Sequence, residues 1–83
     1  MSITAEVLNS LRREERICDL AIKELVKRCE TFERHYQMSS DEFYARFTHG
    51  QLGDDEDYFE WKALIDGVRY WQSLKEALSG LKE

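Results

Sequence analysis

The stretch "HGQLGDDEDYFEW", residues 49–61, sets four consecutive acidic residues between a glycine-punctuated loop and a run of aromatics. Read as a ligand site, Asp54-Asp55-Glu56-Asp57 would point to a metal binder or an enzyme. Read as the start of a helix, it closes the second arm of a helical hairpin. The helix reading accounts for all four acids. Gly53 ends the loop, Asp54 carries a side-chain oxygen suited to an N-cap, and Asp55, Glu56 and Asp57 fill a first turn where the helix macrodipole favours negative charge. A calcium loop counted from Asp54 needs glycine at its sixth position and glutamate at its twelfth. Those positions hold Phe59 and Ile65.

From this start the spacing predicts a helix from Asp55 to Ser79, with Gly80 as its C-terminal stop. One stripe of that helix carries Trp61, Leu64, Ile65, Val68, Trp71 and Leu78. A second carries Phe59, Ala63, Tyr70, Leu74, Ala77 and Leu81. At 100° per residue, Phe59 and Tyr70 fall roughly opposite Trp61 and Val68. A helix apolar on both sides is usually sandwiched, so one side is expected to meet the other hairpin arm. The second is expected to meet the short helix, another copy of the chain, or a different protein.

Upstream, "MSSDEF" is a strong helix start. Ser39 is placed as N-cap and Glu42 as the N3 residue of a capping box, and Met38 and Phe43 fall where a hydrophobic staple sits. A short helix from Ser40 to Thr48 follows, with Gly50 as its C′ residue. Before it, residues 4–37 read as one long helix. From Cys18 the spacing of Cys18, Ile22, Leu25, Cys29, Phe32 and Tyr36 is that of a coiled-coil seam, which Leu8 and Leu11 extend and Glu15 interrupts. Some 34 residues at 1.5 Å give a rod of roughly 51 Å, whose seam needs another helix. The predicted fold class is all-α, a single helical domain over 1–83: a long helix, a short capped helix and a third helix form a hairpin, dimerised into a bundle. The expected core seam is Cys18, Ile22, Leu25, Cys29, Phe32, Trp61, Leu64, Val68 and Trp71.

Composition agrees with helices throughout. Among 83 residues proline is absent, and the formal net charge is -5. That charge argues against nucleic acid as a direct ligand, because phosphate binding is dominated by Lys and Arg, and it suits a basic protein partner. No run of about 20 apolar residues reads as a membrane span, and the N-terminal residues do not read as a secretory signal, so a cytoplasmic setting is expected.

Candidate chemistry is sparse. Cys18 and Cys29 share the seam, but eleven residues of helix separate them by about 16 Å, too far for a disulfide or a shared zinc. They read as buried, reduced packing residues. His35 and His49 have no partners at metal-ligand spacing, and His49 near a helix end favours the dipole. "RREER" at 12–16 reads as helix salt bridging. Glu30-x-x-Glu33 with Asp57-x-x-Glu60 resembles the magnesium-binding pattern of helical nucleotide pyrophosphatases, with the acids of the second half in reverse order. Glu30 and Glu33 flank the seam on its outward side, so solvated charges account for them more simply. A small metal-dependent nucleotide hydrolase is thus the least favoured function. No catalytic residue, metal ligand or cofactor is expected.

The segment "FERHYQMSSDEFYARFTHGQLGDDEDYFEWKALIDGVRYWQSL", residues 32–74, resembles a family of small prokaryotic proteins with a long helix ending in an aromatic, an "MSS-E-F" cap, a "G-LGDD-D-FEW" turn and a final helix. Gly50 to Trp61 is its most specific part. The family is associated with toxin–antitoxin-type loci, where a small acidic protein neutralises an adjacent toxin. The resemblance implies a non-catalytic, partner-binding role and carries over no catalytic residue. The expected function is therefore an antitoxin-like or regulatory protein-binding module, with a structural homodimerisation module as the alternative. The expected partner surface is Phe59 and Tyr70 with the acidic shoulder Asp55, Glu56 and Glu60. A homodimer with long helices side by side and a basic, toxin-like protein are the expected partners.

Overall fold

The computed structural model describes residues 4–81. Helix α1 spans Ala5–Tyr36, α2 spans Ser40–Thr48 and α3 spans Glu56–Gly80. The protein is all-helical, and α1 and α3 pack as an antiparallel hairpin with α2 against one end. The result is a rod of 52 × 22 × 17 Å. Among the described residues no helix is long and apolar enough to cross a membrane.

Each helix end has a local cause. Thr4 Oγ1 caps α1 by accepting from Val7 N at 3.2 Å. Ser39 Oγ caps α2 by accepting from Glu42 N at 3.1 Å. The return arm of the expected capping box is replaced. The Glu42 carboxylate takes Arg46 at 2.8 Å, and the carboxylate that serves the start of α2 is Glu33, which accepts from Ser40 N at 2.8 Å. At the far end of α2, Gly50 has φ of 68°. Gly50 N donates to Phe47 O and Gln51 N to Arg46 O, the paired bonds of a Schellman motif.

The cap of α3 differs from the sequence expectation. Asp55, not Asp54, holds the cap position: its Oδ1 accepts from Asp57 N at 2.9 Å, while Asp54 is exposed in the loop. Adjacent aspartates cap equally well by propensity, so tertiary contact decides the phase. The Tyr36 hydroxyl donates to Asp57 Oδ2 at 2.6 Å, which anchors the first turn to the end of α1. At the other end Gly80 is the last helical residue rather than the stop, and Leu81 is the C-cap.

Two kinds of packing hold the rod. At the closed end, where α2 joins, Trp61 is fully buried and stacked on Phe43 with ring centroids 4.0 Å apart and planes within 6°. Phe32 and Tyr36 lie nearly parallel to the same indole at 5.7 and 5.9 Å. The indole N–H donates to Ser40 Oγ at 2.9 Å, so burying it leaves no orphan donor. Towards the open end the seam is mostly aliphatic, with Trp71 as an aromatic member. Cys18, Cys29, Leu64 and Ile65 are buried, and Ile22, Leu25, Val68, Trp71 and Leu78 are half-buried. Gly67 lets the helices approach, since a Cβ there would lie 3.1 Å from Leu25 Cδ1.

The register is set by Tyr36 with Asp57, the ion pair of Asp19 with Lys75 at 2.6 Å, and the bond from Ser79 Oγ to Glu15 Oε2 at 2.9 Å. One step along α1 is thus matched by one step back along α3. By that register α3 ends opposite Glu14, and the first nine residues of α1 run past it. Leu8 and Leu11 are half-buried there and Val7 is exposed.

Candidate functional site

The outer face of α3 carries three of the seven exposed large hydrophobic side chains among the described residues. Phe59 is 55% exposed, Tyr70 62% and Leu81 59%; Ala63 and Ala77 between them are exposed too. The face arises because α3 turns Trp61, Leu64 and Ile65 inward, which sends residues half a turn away outward. Leu74, which the spacing assigned to the same stripe, is half-buried instead. Phe47 meets the Phe59 ring edge-on at 5.5 Å, and Trp71 meets Tyr70 in the same manner. These contacts hold both rings in place without covering them. Phe43 lies under Trp61, and Tyr44 is engaged by Asp66 and Arg69.

Asp55, Glu56 and Glu60 are all exposed beside Phe59. They belong to a wider asymmetry. Residues 29–61 hold nine of the chain's 17 acidic residues and only two of its 12 basic ones. The closed end of the rod is therefore strongly acidic, and the rest of the chain carries a small basic excess. One oxygen of Asp55 is committed to the cap of α3.

The rim of this face carries a polar network that sequence spacing did not reveal. The Tyr44 hydroxyl donates to Asp66 Oδ1 at 2.8 Å, and Lys62 Nζ donates to Asp66 Oδ2 at 2.7 Å. The Arg69 guanidinium sits over the Tyr44 ring at 4.0 Å. The hydrogen bonds from Lys62 and then Tyr44 hold the Asp66 carboxyl below the usual carboxylate range, and Asp66 in turn raises Lys62. The i, i+4 spacing of Lys62 and Asp66 is a signal for the pair that went unread. The link to Tyr44, 22 residues away, has no such signal.

The other candidate groups are accounted for within the fold. Glu33 caps α2 and Asp57 holds Tyr36, so neither half of the Glu30/Glu33 and Asp57/Glu60 pattern is free of structural duty. Among the described residues, no group of three or more His, Cys, Asp or Glu side chains is placed to hold a metal. Cys18 and Cys29 are free, buried thiols, and burial pushes the Cys29 thiol up. His49 Nδ1 lies 2.6 Å from Ala45 O at the end of α2, and His35 packs edge-on against Tyr36. Arg46–Glu42, Lys62–Asp66 and Lys75–Asp19 form ion pairs, and Glu15 of the 12–16 run accepts from Ser79 Oγ across the hairpin. Compared with family models, curated proteins and solved structures, the chain matches none.

Proposed function

We propose that this chain is a non-catalytic protein-binding module, antitoxin-like or regulatory, that engages its partner through the outer face of α3. One observation carries the reading: two large aromatic side chains, Phe59 and Tyr70, stand more than half exposed on a face that the hairpin does not need. Large aromatics anchor interfaces because each removes much apolar area from water when covered and orders few torsions in doing so. Two of them about 16 Å apart on one rigid helix form a preorganised pair of anchors. Beside them, Asp55, Glu56 and Glu60 sit at the acidic end of the rod. Carboxylates in that place speed encounter with a basic surface and reject an acidic one. A basic, toxin-like protein fits this chemistry.

The test is in-cell photocrosslinking with a photoreactive amino acid at position 59 or position 70. The reading predicts a discrete protein adduct from either position, identified by mass spectrometry, and none from the same group at Leu20 on the far side of α1. Adducts that form equally from all three positions, or from none, would overturn it.

A further inference from the structure

We draw no further inference here: the strongest candidate, the cleft of about 290 Å³ between α1, α3 and the first turn of α2 that Val26, Cys29, Ile65 and Val68 line beside Glu33 and Arg69, carries nothing, because Glu33 already serves the start of α2, Arg69 already stacks on Tyr44, and nothing in the structure shows what covers it.

Discussion

The two ends of the rod are built by different physics. At the closed end three helices meet, and the packing is aromatic and directional: Trp61 lies on Phe43 and beside Phe32 and Tyr36, while Ser40 takes its N–H and Asp57 takes the Tyr36 hydroxyl. At the open end only α1 and α3 meet. The packing there is mostly aliphatic and half-covered, and α1 outruns α3 by about two and a half turns. The difference teaches where the directional packing of the hairpin is concentrated. The closed end fixes the hairpin through groups that each have a single partner geometry. Once α3 is fixed along its inner face, its outer face is free to be apolar, at the solubility cost that exposed aromatics bring.

The largest expected effect breaks the comparison at its centre. Trp61→Ala removes a fully buried indole and should cost about 3–5 kcal/mol, enough to unfold a domain of this size. Cys18→Ala, at an equally buried aliphatic position, should cost only about 1 kcal/mol. Urea melts followed by circular dichroism measure both. Equal costs would show that the closed end holds no special share of the stability.

Two smaller effects sharpen the account of the closed end. Asp55→Ala should lose about 1 kcal/mol by removing the cap of α3, whereas Asp54→Ala should change stability by less than about 0.5 kcal/mol. The reverse order would move the start of α3 back by one residue. Gly50→Ala should cost about 1 kcal/mol through backbone strain alone, because the added Cβ meets nothing within 4 Å. A cost of several kcal/mol there would reveal a packed turn instead.

The smallest expected effect is a dependence on pH. The bond to Asp57 pushes the Tyr36 hydroxyl well above its ordinary 10.0. A raised folded-state value means its contribution is complete below the unfolded value and is lost as pH rises through the folded one. Lys62 and Lys75, raised by Asp66 and Asp19, act in the same direction. Asp66 is lowered, so its contribution is complete above its ordinary 3.8 and is lost as pH falls through the folded value. Melting temperature should therefore decline above about pH 10, and Tyr36→Phe should flatten that decline. An unchanged alkaline slope in the variant would remove Tyr36–Asp57 as its cause.

Much of this molecule was legible in the sequence because local rules and tertiary packing agree. Ser39 and Gly50 bound α2 as their side-chain and backbone chemistry requires, and the stripes of α3 separate the inward Trp61, Leu64 and Ile65 from the outward Phe59 and Tyr70. What escaped depends on contacts between distant residues. Asp54 and Asp55 are equal candidates until Tyr36 selects the turn. Glu42 is a fitting box residue until Arg46 takes it and Glu33 reaches across from α1. The Tyr44–Asp66–Arg69 network has no spacing signature, because its members come from two helices.

The division between a stabilising inner face and a binding outer face is tested most directly by the melting temperature of the Phe59→Ala/Tyr70→Ala double variant over a wide range of protein concentration. The account predicts that the dilute variant melts within a few degrees of the dilute wild type, because the hairpin does not need either ring. A double variant that melts far below the wild type even at the lowest concentration would contradict it, and would place Phe59 and Tyr70 in the core of the single chain.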